Sequence, residues 1–374
     1  MKSIILYQPK KTVFGDGTLH QLPADCQASA YRRTLLLFTT PLKKTAETIS
    51  SAFEDRGMQL QLLEYAFGEP AITYFQSLLT QAQAYRPDCV VGLGGGSVLD
   101  TAKLIAALWD SDQTIEEVFG KNILKQRNSG LICIPTTSGT GSEVSPNAIL
   151  LDENDSEKKG VISPYLVPDS CYIDPILMTG LPPKITAETA MDALSHCIEA
   201  YTNKYSHPVT DNYALAGIRL IAANLETAYR DGANREARSA LALGSMYGGL
   251  CLGPVNTAAV HALSYGLGGK YHISHGLANA VLLPEVMRFN LESSPQKYKE
   301  IALAFGADTA REGIARLKAL SMACGIPQKL SDIGIDPSET ETLADLAMKV
   351  TRLLVNNPRE VTRKDAINIY HALF

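Results

Sequence analysis

One acid and three histidines form the pattern in this chain that most suggests chemistry. Asp192 and His196 lie four residues apart in the apolar segment AMDALSHCIEAY, and His261 and His275 follow fourteen residues apart. Four residues advance about 400° along a helix, so Asp192 and His196 project from one face. One carboxylate and three imidazoles suit Fe²⁺ or Zn²⁺ and suit Ca²⁺ or Mg²⁺ poorly. The pattern therefore predicts a transition-metal site.

Buried histidines satisfied by ordinary hydrogen bonds are the alternative interpretation. Three of the seven histidines fall in these apolar segments beside an acid, and an unpaired Asp192 would be costly to bury. We therefore favour the metal site. Gly266, Gly268 and Gly269 are expected to break the second helix, so that the chain turns back and presents His275 beside His261.

A glycine turn is the second feature. In GLGGGSVLDTAKLIAALW (92–109), Gly94, Gly95 and Gly96 follow a strand-like run and precede a helical one. Backbone amides and the positive end of a helix can approach a pyrophosphate there, and a Cβ would hold the phosphate off and restrict φ. Because the spacing is not G-x-G-x-x-G, a tight turn without a ligand is equally open. Ser97 either caps the helix or bonds phosphate. Asp100 and Lys103, one and two turns into the helix, are either part of such a site or, equally well, a solvated surface pair.

Hydroxyl side chains crowd a second loop, PTTSGTGSEVSPNAIL (135–150), directly after an apolar run. Parallel sheets bind ligands at the carboxyl ends of their strands, so the hydroxyls of Thr136, Thr137, Ser138, Thr140 and Ser142 suit a ligand crevice; the alternative is an exposed turn. The charged segment DENDSEKKG (152–160) is predicted to be a hairpin-like turn in water, with Lys159 at its edge able to reach a phosphate or ribose.

Two kinds of element must position these residues. Up to residue 178, the runs TLLLFTT, DCVVGLGGG and LICIPTT are predicted strands, and they alternate with helical periods such as LKKTAETISSAFEDRG and AITYFQSLLTQAQAYR. This alternation predicts a parallel α/β sheet covered on both faces. After the Pro182-Pro183 step only helical patterns follow. We expect an α/β domain at 1–178 and an all-helical domain at 179–374.

Composition fits this organisation. A chain of 374 residues exceeds what one core usually serves. The 39 acidic and 34 basic residues leave a net charge of −5 with no basic block, so we expect no nucleic-acid partner. There is no apolar run of membrane-spanning length, and the apolar core of the start is too short for a signal peptide. We expect a cytoplasmic protein without a membrane partner.

Cysteine usage agrees with a reducing compartment. The seven cysteines are scattered, with no C-x-x-C pair, which argues against both a disulfide framework and a thiolate zinc site. Cys197, next to His196, is predicted to be a buried apolar filler.

Several motifs taken together closely resemble the iron-containing (group III) alcohol dehydrogenases over essentially the whole chain. They are VFGDGTL near the start, the GGGS-x-x-D-x-x-K turn, PTTSGTGSEVS, MDALSHCIEAY, HALSYGLGGKYHISHGLANAVLLP and NNPR (356–359).

The resemblance implies a fold and a set of site residues. The fold is an amino-terminal Rossmann-like dinucleotide-binding domain followed by an all-helical metal-binding domain, a dehydroquinate synthase-like architecture with the metal in the cleft. By motif position, the metal ligands are Asp192, His196, His261 and His275. The pyrophosphate loop is Gly94, Gly95, Gly96 and Ser97, and the other cofactor contacts are Thr136, Thr137, Thr140, Asn147 and Lys159.

The resemblance also implies an NAD(P)-dependent alcohol dehydrogenase that carries Fe²⁺ or Zn²⁺ and acts on a small alcohol or aldehyde, as a homo-oligomer of two or more chains. A divalent cation lowers the pKa of bound water from about 15.7 to near 7, and an alcohol in the same place would be acidified likewise. Hydride would then pass from the alcohol carbon to the nicotinamide.

Three positions depart from the family pattern. Tyr265 stands where some members carry a second histidine near the substrate, so we hypothesise that His272 acts in the proton relay; a surface or supporting histidine is the alternative. Thr39 stands where NAD-preferring relatives place an aspartate on the ribose, which slightly favours NADP. Glu69 replaces an asparagine near the adenosine.

Two other functions are compatible with parts of this sequence. A dehydroquinate synthase-like lyase, also NAD- and metal-dependent, needs several basic residues for a phosphorylated acid and a metal set that begins with Glu; here the set begins with Asp192, and the region from His261 to His275 holds only Lys270. A metal- or nucleotide-binding module without catalysis is disfavoured because the ligand set is complete.

Overall fold

The computed structural model describes residues 3–66, 68, 70–154 and 157–374. Glu69 lies outside them. The described residues form nine strands: β1 (Lys11–Phe14), β2 (Arg33–Thr39), β3 (Gln59–Tyr65), β4 (Cys89–Gly94), β5 (Gly120–Lys121), β6 (Gly130–Pro135), β7 (Asn147–Asp152), β8 (Glu157–Ile162) and β9 (Ser170–Ile173).

Fifteen α-helices accompany them in the described parts of the chain. They are α1 (Leu22–Ala28), α2 (Lys43–Glu54), α3 (Ile72–Tyr85), α4 (Gly96–Leu108), α5 (Ile115–Val118), α6 (Pro183–Thr202), α7 (Pro208–Arg230), α8 (Arg235–Leu252), α9 (Ala259–Tyr271), α10 (His275–Asn290), α11 (Pro295–Ala304), α12 (Ala310–Ala323), α13 (Thr340–Lys349), α14 (Thr351–Leu354) and α15 (Arg363–His371). In this part of the chain, no helix has the length and apolar character needed to cross a membrane.

The chain divides into two compact units. One unit comprises residues 7–137 and 142–178; the other comprises residues 138–141 and 179–374, together with the first few residues of the chain. The short loop 138–141 therefore belongs to the helical unit although it lies between strands in sequence.

A six-stranded sheet organises the α/β unit, with all its strand pairs parallel and the order β1-β9-β6-β4-β2-β3. Side chains of successive strand residues point to opposite faces. Accordingly, Leu35 and Leu37 join the core on the α3 and α4 side, whereas Leu36 and Phe38 join the core on the α1 and α2 side. Burial on both faces explains why β2, β4 and β6 read as unbroken apolar runs. The predicted parallel sheet and the three predicted strands are confirmed.

A small second sheet holds the charged segment 152–160. Its strands are ordered β5-β8-β7, and β7 pairs antiparallel with β8. The predicted hairpin is present, although Asp155 and Ser156 lie outside the described residues.

The helical unit is built around α6. Pro182 and Pro183 start this helix, as expected for proline at a first helical position. From Thr186 to Thr202 nearly every residue is buried, because α7, α8 and α10 surround it. A helix enclosed on all sides can hold polar side chains away from water only when they are paired. The prediction that strands disappear from the second half is confirmed for the described residues.

The expectation that three glycines break the second metal-bearing helix is wrong. Gly266, Gly268 and Gly269 lie inside α9, which continues to Tyr271. A Cβ at Gly266 would meet the side chains of α13 at 3.2–3.3 Å, so this glycine permits close helix packing. The chain reverses instead at His272, whose φ of 56° is left-handed.

Candidate metal centre and cofactor loops

The four predicted metal ligands converge from three helices of the helical unit. Asp192 and His196 lie one turn apart on α6, His261 lies in the first turn of α9, and His275 is the first residue of α10. One ligand atom from each lies within 4.8 Å of the other three. The turn at residues 272–274 brings the start of α10 back to the start of α9.

The geometry of this quartet fits a single cation. Asp192 Oδ1 lies 3.7 Å from His196 Nε2 and 3.5 Å from the Nε2 atoms of His261 and His275. Four ligands at about 2.0 to 2.2 Å from a tetrahedral metal are separated by roughly 3.4 Å. Nitrogen and oxygen donors of this kind suit Fe²⁺ or Zn²⁺. The residues present therefore fit the metal that the sequence predicts.

Burial and neighbouring charges set the protonation states of the quartet residues. Burial raises the pKa of Asp192, but the charges of His196 and His275 and the hydrogen bond of His261 outweigh it and lower this pKa well below its ordinary range. Burial also lowers the pKa of His196. The pKa of His261 moves the other way: burial lowers it, but Glu199 and Asp192 raise it to about 9. Metal is bound by an ionised carboxylate and neutral imidazoles, so a cation that binds here must displace a proton from His261.

The glycine turn joins a strand to a helix in the α/β unit. β4 ends at Gly94, Gly95 precedes α4, and Gly96 and Ser97 begin that helix. Among the described residues, no side chain caps the start of α4, so the interpretation of Ser97 as a helix cap is wrong. A Cβ at Gly94 would lie 2.7 Å from Val98 Cγ2. Glycine is therefore required at position 94 because the strand and the helix pack closely there, and not because the backbone has a positive φ.

Asp100 and Lys103 are not a solvated surface pair, so that interpretation is wrong. Lys103 is fully buried and donates to the carbonyl oxygens of Ser145 and Asn147, both at 2.9 Å. Asp100 accepts from the Ile149 amide at 2.9 Å and from the Ser142 hydroxyl. The two charged groups of the helix therefore hold the start of β7 in place.

The remaining predicted cofactor contacts lie at strand ends and in loops. Thr39 ends β2, Thr136 and Thr137 follow β6, and Thr140 belongs to the 138–141 loop of the helical unit. Asn147 begins β7, and its Oδ1 atom is buried without a hydrogen-bond partner among the described residues. Lys159 pairs with Asp152 across the hairpin at 2.6 Å. Their predicted roles stay predictions.

Comparison with known proteins decides the family. The C-terminal model of the Fe-containing alcohol dehydrogenase family matches residues 186–374, and the iron-containing alcohol dehydrogenase model matches residues 9–175. The chain belongs to the iron-containing alcohol dehydrogenase family. It is an oxidoreductase, and the lyase alternative is not favoured.

Relatives span the full length of this family member. Alcohol dehydrogenase 4 of Saccharomyces cerevisiae (strain YJM789) is 34% identical, covering 97% of this chain and 96% of its own. A solved 1,3-propanediol oxidoreductase superposes with a TM-score of 0.96 at 32% identity, covering 100% of both chains. Sulfoacetaldehyde reductase of Bifidobacterium kashiwanohense, solved in complex with NAD⁺, gives 0.92 at 26% identity, with 100% of this chain and 99% of that chain covered.

Two supporting residues of this dehydrogenase were missed from the sequence. Glu199, also on α6, accepts from His261 Nδ1 at 2.5 Å and from the Val260 amide at 2.6 Å. A carboxylate on the outer nitrogen of a ligating histidine fixes its tautomer and orientation. The signal was present: Glu199 follows Asp192 by seven residues, two helical turns, in an apolar helix.

Asn279 is the second missed residue, one turn after His275 and fully buried. Its Nδ2 atom lies 2.7 Å from Asp192 Oδ1, 3.1 Å from His261 Nε2 and 3.2 Å from His275 Nε2. The amide nitrogen thus lies against three of the four predicted ligands, and its two N–H groups can donate to at most two of them at once. No spacing rule identifies an asparagine of this kind without the fold.

Tyr265, the first family departure, lies in the middle of α9, and His272, its hypothesised replacement in the proton relay, lies just after the carboxyl end of the helix. Tyr265 lies one turn after His261 and is half-buried, and its hydroxyl accepts from Arg352. His272 is exposed at the carboxyl end of the helix and is not one of the four clustered residues. A relay role for His272 stays a prediction.

Proposed function

We propose that this dehydrogenase interconverts a small alcohol and its aldehyde or ketone, using Fe²⁺ or Zn²⁺ held by Asp192, His196, His261 and His275. The observation that carries the proposal is the buried quartet, because one carboxylate and three imidazoles converge at separations that suit one tetrahedral ion. When bound, such an ion supplies Lewis acidity that polarises a carbonyl and acidifies an alcohol.

The protein's own residues orient and enclose this chemistry. Glu199 holds the His261 ring with Nε2 facing the quartet, and Asn279 holds the Asp192 carboxylate. Three of the four ligands are at most 5% exposed, which keeps water from them. Positioning of reactants can contribute about 7 to 11 kcal/mol to catalysis.

For the cofactor, we propose a nicotinamide dinucleotide with its pyrophosphate at Gly94–Ser97 and further contacts from Thr136, Thr137, Thr140, Asn147 and Lys159. The pyrophosphate would lie at the amino-terminal end of α4, a helix of 13 residues. The Oδ1 atom of Asn147, which has no hydrogen-bond partner among the described residues, offers an acceptor. The solved NAD⁺ complex of a relative supports the cofactor class.

We further propose that NADP is accepted. Thr39 ends β2 with an uncharged side chain, which favours a 2′-phosphate. The Glu64 carboxylate, on the neighbouring strand, accepts the Thr40 hydroxyl at 2.6 Å and is the nearby charge that opposes it. Replacement of Thr39 by Asp should shift the NADPH to NADH ratio of kcat/KM strongly toward NADH, since a carboxylate repels a 2′-phosphate. An unchanged ratio would remove Thr39 from the cofactor site.

We also propose that the two units act as a cofactor domain (1–178) and a metal and substrate domain (179–374), in a cytoplasmic homo-oligomer. All seven cysteines are buried and free, as suits a reducing compartment. Light scattering on the purified protein tests the assembly, and a monomer would contradict it.

The activity is tested by mixing metal-loaded protein, NADH or NADPH, and a panel of small aldehydes and ketones. Loss of absorbance at 340 nm in equal amount to alcohol formed is the expected result, and a chelator should abolish it. Metal-loaded protein that oxidises neither cofactor with any carbonyl would contradict the proposal. A lyase would return its cofactor unchanged after each turnover.

A further inference from the structure

The helical unit holds an arginine that no carboxylate neutralises among the described residues. The side chain of Arg352, on α14, is exposed, and its guanidinium lies 5.5 Å from the centre of the Tyr265 ring while Nη2 donates to the Tyr265 hydroxyl oxygen. No carboxylate of the described residues pairs with it within 4.0 Å. The acids of adjoining α13 and the turn before it are engaged elsewhere: Glu339 with Lys270, and Asp345 and Glu341 with Arg363.

The position of Tyr265 connects this charge to the metal quartet. Tyr265 follows His261 by one turn of α9, so the two side chains project from the same face. Helical side chains lean toward the amino terminus of the helix, which tilts the phenol toward the His261 turn. One turn advances about 5.4 Å along the helix axis, which is the offset between the His261 and Tyr265 positions.

Packing fixes Arg352 in this place. α14 packs on α9, with Leu353 buried between its neighbours. Asn356, directly after α14, donates to the Thr257 carbonyl at 2.8 Å and so ties this segment to the start of α9. The backbone of Arg352 is therefore held against α9, and the contact with Tyr265 places its guanidinium beside the middle of that helix.

The pair still has hydrogen-bond donors to offer. A guanidinium carries five N–H groups in a planar fork, and Tyr265 takes one of them. Because the tyrosine oxygen accepts from Arg352, its own O–H remains a donor. A charged fork beside a hydroxyl is the arrangement that binds a carboxylate or another oxyanion in bidentate fashion.

We propose that Arg352 and Tyr265 form an anion subsite that selects aldehydes and alcohols with a terminal carboxylate or similar oxyanion three or four carbons from the reacting centre. The inference rests on the proposed function. Hydride passes from the reduced cofactor to the carbonyl carbon and a proton from solvent reaches the carbonyl oxygen, while Arg352 and Tyr265 hold the far end of the substrate.

The test compares succinate semialdehyde with pentanal, an uncharged aldehyde of similar length, in metal-loaded wild type, Arg352→Met and Tyr265→Phe. Wild type should prefer the charged substrate, and Arg352→Met should lower its preference, measured as the ratio of kcat/KM values, by about 10- to 100-fold, mainly through KM. Tyr265→Phe should lower it by a smaller factor. Salt should weaken the wild-type preference.

Arg316→Met provides the matched control. It removes the same charge from an exposed arginine on α12 that pairs with Glu312 at 2.7 Å, and the substrate ratio should stay at the wild-type value. A wild type that prefers pentanal, or an Arg352→Met ratio equal to wild type, would overturn the subsite. If Arg352→Met does not fold, Arg352→Lys keeps the charge without the fork and should still lower the ratio. Failure of wild type to reduce either aldehyde, or any other, would instead count against the proposed function.

Discussion

Replacing Glu199 by glutamine should weaken metal binding while leaving the helical unit folded. Glu199 is 4% exposed and uses both carboxylate oxygens, one for the Val260 amide at 2.6 Å and one for His261 Nδ1 at 2.5 Å. Glutamine has the same shape but only one acceptor oxygen. One of the two donors must then face an NH₂ group, and the His261 ring loses either its tautomer or its orientation.

The magnitude follows from these contacts. Loss of a supporting partner on a ligating histidine typically costs 10- to 100-fold in metal affinity. The donor left without an acceptor in a buried place costs about 1 to 3 kcal/mol of folding free energy. The loss of metal affinity and the loss of stability should appear together. The loss of affinity should be the larger, because the Val260 amide can still donate to the one remaining oxygen and His261 then lacks an acceptor.

The assay is competition for Zn²⁺, and anaerobically for Fe²⁺, between the protein and a chelator of known affinity, with urea unfolding of the metal-free protein measured alongside. Glu226→Gln is the control, since Glu226 is half-exposed on α7 and pairs with Arg230; it should leave the affinity unchanged. Equal metal affinity in Glu199→Gln and wild type would refute the supporting role of Glu199, whatever its stability.

Three further predictions concern the α/β unit. Gly94→Ala should destabilise it by about 1 to 3 kcal/mol in urea unfolding, because the new Cβ would lie 2.7 Å from the next turn, whereas Gly95→Ala, with its nearest atom at 3.4 Å, should cost less. Lys103→Met leaves two carbonyl oxygens without their donor and should cost about 2 to 5 kcal/mol in the same assay; a loss under about 1 kcal/mol would contradict the bracing role. Burial raises the pKa of Asp169, but the charge of Arg127 and hydrogen bonds lower it overall. The stabilisation from this carboxylate is therefore complete above the pKa that Asp169 has in the unfolded chain, and it is lost as pH falls through the lower pKa of the folded protein. Asp169→Asn should therefore flatten the loss of stability below about pH 4, and an unchanged slope would exclude this carboxylate.

The fold was largely predictable because its signals are local. The apolar runs of β2, β4 and β6 have few other interpretations, since only strands covered on both faces carry so little polarity over that length. The weaker strands at the sheet edges, β1 and β9, are four residues each and carry no comparable pattern. Their places are set by tertiary pairing.

The candidate site was predictable where spacing carries the information and not where packing does. The i, i+4 pair of α6 and the histidine-rich segment after it identified the quartet. The roles of Asp100 and Lys103 depend on β7 passing over α4, a contact between segments more than 40 residues apart in sequence. The same holds for Gly266 of α9, whose close packing appears only when α13 lies against it.

Asn279 and Arg352 show the same limit. Neither belongs to a ligand-type motif, and each acquires a meaning only from what the fold places within a few ångströms of it: three ligand atoms for Asn279 and the Tyr265 ring for Arg352. Residues of this kind must be found from the structure.

The central claim, that the buried quartet holds the catalytic cation, is tested most directly by replacing His261 with alanine and measuring metal per chain together with NADH or NADPH oxidation. His371→Ala, at an exposed position on α15, is the matched control and should keep both at the wild-type level. His261→Ala should lose both bound metal and turnover while still showing cooperative unfolding. A folded His261→Ala protein that retains one metal ion per chain and wild-type turnover would contradict the account.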